Sequence, residues 1–328
     1  MHGDQSLDAG LDYAPCQYPG SRLYFRGPAR DLSQPYIAFL GGTETYGKFI
    51  TRPFPVLVEA ALGQSCVNLG VVNASVDALT SDPGIQDIAR EAEVRVLQVP
   101  GAHLLSNRFY TVHPRRNDRF VRASTVLTAL YSEVDFTEIC FVGHLLQRLH
   151  DVSTERFQIL REELQTAWAA RMRSYLADLG PATLLLWFAA QLPSDTPWED
   201  RPDPLRIEPA FVTRRMVDAL RPLVRGVIMA MPSARAMASG TEGMIFTPSQ
   251  ESAASALLPP AAHAEAAAAI TRALRLPAGE EDHAPPIRQP VGGARQIRAC
   301  RSVPEAPRTD PPQGQGRPPG RSALPRPC

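Results

Sequence analysis

Short apolar runs alternate with longer segments of helical periodicity between residues 35 and 276, and this alternation predicts an α/β fold. Each run has the length of a buried strand and lies close to glycine, proline or polar turn residues. We expect strands at 36–40, 65–69, 94–99, 184–189 and 224–230. Because helical segments separate these runs, the strands should form a mostly parallel central sheet in a three-layer α/β/α sandwich.

Proline and glycine mark the expected helix boundaries. Pro55 suits the first turn of a helix, and Gly63 suits the position just after its end. The longest helix should begin after Ser153 or Thr154 and end at Gly180-Pro181, and a last helix should begin at Pro259-Pro260. Apolar residues recur along the longest helix at spacings of three and four, which predicts one buried face. They are Phe157, Leu160, Leu164, Trp168, Met172 and Leu176.

Composition divides the chain into three parts. We expect an N-terminal extension over 1–34, the α/β domain over 35–276, and a tail over 277–328. The tail is rich in proline, glycine and arginine and almost without bulky apolar residues, so it cannot bury enough surface to offset its ordering entropy. We therefore predict that it is disordered.

Charge and cysteine content exclude several classes of protein. The 34 basic and 34 acidic residues balance, so no global positive field indicates a nucleic-acid partner. No apolar run approaches the ~20 residues of a membrane span, and no signal peptide is visible at Met1. The five cysteines form no disulfide or metal framework. We expect a soluble cytoplasmic protein without cofactor or metal, and its oligomeric state stays open.

The best candidate for a functional site is the turn that follows the first predicted strand, Gly41 to Lys48. Open α/β sheets bind their ligands at the carboxyl ends of strands, where this turn lies. Its sequence fits two chemistries: the nucleophile loop of an ester hydrolase, and a phosphate-binding loop.

Four separated blocks carry a resemblance to the SGNH (GDSL-type) hydrolase superfamily, and to a proteobacterial domain-of-unknown-function family with the run Gly-Gly-Thr-Glu-Thr-Tyr-Gly-Lys-Phe. The resemblance implies an SGNH or flavodoxin-like fold. It places Thr43 at the nucleophile position and Gly70 at a backbone oxyanion donor. It places His103, or the nearby Asn107, at the asparagine donor and His263 at the general base.

The resemblance implies an SGNH-like esterase or acyl-group hydrolase, with two departures from the family pattern. Threonine replaces the serine nucleophile, and its methyl group crowds the attack. Pro260 stands where the family has the aspartate that orients the histidine, as in a catalytic triad. The site is therefore either an active hydrolase site or a degenerate one that no longer hydrolyses esters. The alternative is a non-catalytic protein of the same fold that binds an anionic ligand.

The phosphate-binding interpretation rests on Gly42–Lys48, which matches G-x-x-x-x-G-K and contains the only lysine of the chain. Two features weigh against it. Phe49 replaces the Ser/Thr that would hold Mg²⁺, and Pro53 and Pro55 would lie inside the helix that should follow. Nucleotide binding, including a sulfotransferase-like form, stays the less favoured alternative.

A substrate-binding segment is expected after the third strand, where arginines alternate with histidine and aromatic residues. Arginine forks suit carboxylate, phosphate and sulfate, so a polar or anionic substrate such as a saccharide is expected. The residues predicted to bind substrate are Gly42, Lys48, Asn73, Arg115, Arg116 and Arg119.

Overall fold

The computed structural model of the chain describes residues 10–197, 205 and 207–276. Its strands are β1 (Tyr36–Gly41), β2 (Ser65–Gly70), β3 (Val94–Gln98), β4 (Tyr110–His113), β5 (Arg116–Ala123), β6 (Thr183–Phe188) and β7 (Gly226–Ala230). Its α-helices are α1 (Thr43–Tyr46), α2 (Phe54–Leu62), α3 (Val76–Ser81), α4 (Pro83–Glu91), α5 (Thr125–Leu130), α6 (Val142–Val152), α7 (Thr154–Leu179), α8 (Arg214–Asp218), α9 (Ala234–Ala238), α10 (Glu251–Ser255) and α11 (Pro260–Arg275).

Five strands form one parallel sheet in the order β2-β1-β3-β6-β7. The five predicted strands are therefore confirmed, with ends that shift by one or two residues. The chain goes from β1 to β2 on one side and then returns to add β3 on the other. The strand order thus reverses between β1 and β3, which is where doubly wound sheets leave a crevice for a ligand.

Both faces of the sheet are covered, which makes the three-layer sandwich. Successive residues of β1 point to opposite sides: Ala38 and Leu40 join one core, and Ile37 and Phe39 join the other. Helices α3, α4 and α7 contribute to the first core, and α2 and α11 to the second. Because both faces are buried, these strands are continuous apolar runs rather than alternating ones.

The longest helix is confirmed as α7, and its limits follow from its capping residues. The Ser153 side chain accepts a hydrogen bond from the backbone N–H of Arg156, and the helix ends at Gly180. The whole predicted stripe is buried against the sheet, which accounts for a helix of 26 residues that is otherwise polar.

One element was not expected from the sequence: the arginine-rich segment forms an antiparallel hairpin of β4 and β5 rather than a loop. The hairpin is fixed to the sheet domain by the fully buried Asn117. The Asn117 Oδ1 atom accepts hydrogen bonds from the Ser75 N–H (2.8 Å), the Ser75 hydroxyl (3.0 Å) and the Ala78 N–H (3.3 Å). The hairpin thus meets the N-terminus of α3.

The described part of the N-terminal extension packs onto the α/β domain. Phe25 is fully buried in the main core, and the Arg26 guanidinium donates to the carbonyl oxygens of Gly47 (2.6 Å) and Thr51 (2.9 Å). The predicted disordered tail lies outside the described residues and stays a prediction. Among helices in the described ranges, none combines the length and apolar composition of a membrane crossing.

Candidate active site

A cavity of about 370 Å³ opens at the carboxyl ends of β1 and β3, where the strand order reverses. Several residues predicted from the sequence line it together although they are far apart along the chain: Gly42, Thr43, Asn73 and His103. Apolar side chains such as Leu104 and Phe188 form much of the remaining wall. The cavity has the size of a small-ligand site.

The Thr43 hydroxyl is held by Asn73. Thr43 Oγ1 accepts a hydrogen bond from the Asn73 backbone N–H at 3.0 Å and donates one to Asn73 Oδ1 at 3.2 Å. Asn73 has a positive φ of 57°, a conformation that asparagine tolerates better than most residues. The loop after β2 therefore fixes the orientation of the hydroxyl at the first residue of α1.

Gly70 allows this turn to pack against β2. A Cβ atom added at Gly70 would lie 2.3 Å from the Tyr46 nitrogen and 2.7 Å from the Thr45 carbonyl carbon, so α1 could not approach. The Gly70 N–H donates to Asn68 Oδ1 at 2.9 Å. Since this donor is already engaged, the oxyanion role expected for Gly70 has no free N–H in this arrangement.

Gln98, the last residue of β3, is a cavity residue that the sequence reasoning missed. Its Oε1 accepts hydrogen bonds from the Thr45 N–H (3.1 Å) and the Thr45 hydroxyl (2.6 Å). Because a backbone N–H can only donate, these bonds identify the oxygen of the amide. The amide nitrogen is left to donate elsewhere. A polar residue at the carboxyl end of an apolar strand is the signal that could have found it.

His103 and Glu208 form a histidine–carboxylate pair in the cavity wall. His103 Nε2 lies 3.5 Å from Glu208 Oε1, and His103 Nδ1 is buried without a hydrogen-bond partner among the described residues. The Tyr110 hydroxyl donates to the His103 carbonyl at 2.5 Å. Burial raises the pKa of Tyr110, so the phenol stays a donor at neutral pH. No sequence pattern indicates Glu208, which lies 105 residues further along the chain.

His263 is placed behind the cavity rather than in its wall. Its side chain is fully buried, stacks on Phe54 with ring centroids 5.7 Å apart, and meets Phe188 edge-on at 5.1 Å. Nδ1 accepts the Phe54 backbone N–H at 3.3 Å, which satisfies the first turn of α2. Nε2 lies 3.3 Å from Glu44 Oε2, although the angle is not that of a hydrogen bond.

These contacts have a consequence for the role of His263. A nitrogen that accepts a backbone N–H is unprotonated, so the single proton of the neutral ring is at Nε2, toward Glu44. The lone pair that a general base would use is taken by Phe54. In this arrangement the Thr43 hydroxyl contacts Asn73, and His263 contacts the next residue, Glu44.

Asn107 shapes a turn rather than the cavity. Its Oδ1 accepts the backbone N–H groups of Phe109 (2.8 Å) and Tyr110 (3.2 Å), and its amide nitrogen donates to the Leu105 carbonyl (3.0 Å). An asparagine that bonds the backbone two residues on is typical of an Asx-turn. The side chain is thereby occupied, and Asn107 does not line the cavity.

The predicted cationic residues also lie away from the cavity wall. Arg115 and Arg116 are exposed at the tip of the β4–β5 hairpin, and the Arg119 guanidinium lies 4.0 Å from the centroid of the Phe141 ring. Lys48 Nζ lies 4.9 Å from the Phe49 ring centroid. The anionic-substrate expectation rested on these side chains, and none of them lines the cavity.

The backbone of 41–54 differs from a phosphate-binding loop. Helix α1 contains only four residues and ends at Gly47, whose φ is 74°. The next helix begins at Phe54, with Pro53 as its N-cap. Lys48 is therefore not at the start of a long helix whose N-terminus could face a phosphate. Among the described residues, no group of three or more His, Cys, Asp and Glu could hold a metal ion.

Fold and site together define a parallel α/β protein with a ligand-sized cavity at the reversal of its strand order. The family described as Domain of unknown function (DUF6473) matches residues 1–277, and the chain belongs to that family. The expectation of a domain-of-unknown-function family is thus confirmed. Comparison with curated protein sequences gave no match.

Three solved structures resemble the chain at low identity. They are a carbohydrate esterase family 2 enzyme with a carbohydrate-binding domain from Corynascus thermopiles (Myceliophthora fergusii), a lipase from a goat rumen metagenome, and a lipase/acylhydrolase from Enterococcus faecalis. Their TM-scores are 0.37, 0.36 and 0.34, at 11%, 13% and 16% identity. The alignments cover 76%, 73% and 75% of this chain and 68%, 97% and 100% of those chains. At these scores the neighbours carry no argument about activity.

Proposed function

We propose that the protein is an SGNH-like ester or acyl-group hydrolase and that Thr43 supplies the nucleophile. One observation carries the proposal. A hydroxyl at the end of β1 shares one cavity with a histidine–carboxylate pair, His103 and Glu208, and with the amide side chains of Asn73 and Gln98. These are the groups that acyl transfer needs: a nucleophile, a base with an orienting carboxylate, and donors for an oxyanion.

The proposed reaction is a two-step displacement. Thr43 Oγ attacks the carbonyl carbon of the ester, and the hydroxyl proton passes to His103. The tetrahedral intermediate breaks its bond to the alcohol oxygen, which takes that proton from His103 and leaves. A water molecule then attacks the acyl-threonine and gives one proton to His103. When the acid leaves, this proton returns to Thr43 Oγ.

The oxyanion is assigned to side-chain amides rather than to Gly70 and Asn107. The Gln98 amide nitrogen and the Asn73 amide nitrogen form no hydrogen bond with the described residues, whereas the oxygens of both amides are engaged. In this assignment His263 supports the site from behind through Glu44. The loss of the family aspartate at Pro260 is then without effect on the base, because the base is His103.

The proposal also includes the substrate's polar character. Residues with hydrogen-bonding side chains (Asn73, Ser75 and Gln98) and apolar residues (Leu104 and Phe188) line the same cavity. This combination suits an ester that joins a short apolar acyl group to a hydroxyl-rich alcohol such as a saccharide.

Steady-state hydrolysis of p-nitrophenyl acetate and of an acetylated sugar tests the proposal. Thr43→Ala should abolish turnover, and Thr43→Ser should keep or raise it, because serine removes the crowding methyl group and keeps the hydroxyl. His103→Gln should cost about as much as Thr43→Ala, since residues that act as a unit are not additive. Equal turnover by wild type and Thr43→Ala would remove Thr43 as the nucleophile, and no turnover by the wild type would remove the enzyme assignment.

The second candidate is a non-catalytic ligand-binding protein on the same fold. The observation that favours it is the Thr43 hydroxyl itself, which donates to an amide oxygen of Asn73 rather than to a base. A protein that is inert toward esters and fluorophosphonate probes, but stabilised in a thermal melt by small polar ligands, would be of this kind.

A further inference from the structure

The cavity wall carries negative charge. Its two ionisable acids are Glu44 and Glu208, and no lysine or arginine is among the described residues that line it. The Glu208 side chain is 63% exposed, so its charge is well solvated, whereas the Glu44 side chain is only 15% exposed. Glu44 is therefore the acid that a ligand in the cavity would meet in a poorly solvated setting.

Glu44 is held in place from two sides. The Leu258 backbone N–H donates to Glu44 Oε1 at 3.0 Å, and His263 Nε2 lies 3.3 Å from Oε2. Leu258 lies just before α11, and His263 lies in its first turn. The start of the last helix therefore brings one backbone donor and one imidazole nitrogen to the carboxylate of Glu44, a residue of α1 that lies 214 residues before Leu258 in the chain.

The burial of His263 is an independent observation. Its side chain is fully buried, and its Nε2 atom has no aligned hydrogen-bond partner other than through the contact with Glu44. Because Nδ1 is engaged by Phe54, the ring proton is at Nε2, which lies 3.3 Å from the carboxylate. A fully buried imidazole that lies beside a single carboxylate indicates that the position of Glu44 matters to the site.

We propose that the cavity selects a substrate whose acyl or alcohol part bears a positively charged amine, and that Glu44 binds this amine. The inference rests on the proposed function, because it names the substrate of the same cavity, and it replaces the anionic substrate expected from the arginine-rich segment. An ammonium group supplies up to three N–H donors to a carboxylate that already has two fixed neighbours. An anionic group would meet like charge.

Three ligands that share one chain vary the charge at its end, and the ammonium and methyl members are also isosteric. Ethyl β-alaninate, ethyl butyrate and monoethyl succinate differ only in carrying an ammonium, a methyl or a carboxylate at the end of the same chain. The corresponding amides, β-alaninamide, butyramide and succinamate, provide the same series for binding measurements that need no turnover. At pH 7 and low salt we expect β-alaninamide to bind the wild type about tenfold more tightly than butyramide. Succinamate should bind most weakly.

Glu44→Gln keeps the size of the side chain and removes its charge. We expect it to bring the affinities for β-alaninamide and butyramide within a factor of about two. Glu242→Gln is the matched control, because it removes one exposed carboxylate outside the cavity wall and should leave the tenfold preference intact. Thermal melts establish that each variant is folded.

The two proposals fail in different ways. Equal affinities for the charged and neutral amides, or a preference for β-alaninamide that persists in Glu44→Gln, would overturn the assignment of Glu44. This holds even if ester hydrolysis still depends on Thr43. The protein could instead hydrolyse no ester and still prefer β-alaninamide in a way that depends on Glu44. That result would support the binding of amines by Glu44 and would contradict the proposed hydrolase activity. Tight binding of succinamate would overturn the inference outright.

Discussion

His263→Phe is the substitution that best separates a structural histidine from a catalytic one. The substitution keeps an aromatic ring between Phe54 and Phe188, where His263 stacks at 5.7 Å and 5.1 Å. It removes the Nδ1 acceptor of the Phe54 N–H and the Nε2 donor that faces Glu44. The packing is thus nearly preserved, and the loss falls on two polar contacts.

The cost can be worked out from those contacts. A buried N–H that loses its acceptor costs about 1–3 kcal/mol, and the loss of the polar Nε2 contact with Glu44 adds about 1 kcal/mol, because Glu44 keeps the Leu258 donor and is still reached by solvent. The free energy of unfolding should fall by about 2–4 kcal/mol. For a domain of this size, each kcal/mol corresponds to roughly 2–4 °C, so the melting temperature should fall by about 4–16 °C.

Thermal and urea denaturation followed by circular dichroism measure this loss. The matched control is His144→Phe, the same change at an exposed position of α6, and its melting temperature should stay close to that of the wild type. If His263→Phe melts like the wild type while ester hydrolysis falls as far as in Thr43→Ala, then His263 is the general base. That result would refute the argument from its buried contacts.

Two further substitution or labelling experiments test the packing around the site. Gly70→Ala should destabilise the protein by about 2 kcal/mol or more, because the new Cβ would lie 2.3 Å from the backbone nitrogen of Tyr46. Gly143→Ala, where nothing lies within 4 Å, should be neutral or stabilising by up to about 1 kcal/mol, and equal melting of both variants would contradict the close approach. Burial raises the pKa of Cys66 to about 12, and only the thiolate reacts, so iodoacetamide at pH 8 should label the exposed Cys140 and spare Cys66 until urea is added. Mass mapping of the alkylated peptides in native protein checks this, and early labelling of Cys66 would show that β2 opens.

Much of the fold is predictable from the sequence because it depends on local patterns. A buried parallel strand such as β6 needs a continuous apolar run. In an amphipathic helix such as α7, capping residues mark the two ends and apolar residues at spacings of three and four mark the buried face. The β4–β5 hairpin could not be predicted from local patterns. Its arginines resemble a solvated loop, and its anchor is one buried residue, Asn117, whose partners lie 39 and 42 residues away.

The site is only partly predictable, for a related reason. Which residues lie at the carboxyl edge of the sheet follows from strand order, and Thr43 and His103 line one cavity at that edge. Which groups bond to each other depends on contacts between distant segments. The Phe54 N–H donates a hydrogen bond to His263 Nδ1, 209 residues further along the chain, and no sequence spacing predicts that bond.

Trapping the acyl group on the protein tests the central claim most directly. The wild type is mixed with a fluorophosphonate or an activated ester, quenched in acid, digested and mapped by mass spectrometry, with Thr43→Ala treated in parallel. We expect a covalent adduct on the peptide that contains Thr43, and none on the corresponding peptide of the variant. An adduct at another hydroxyl, or no adduct in a protein that still hydrolyses the ester, would contradict it.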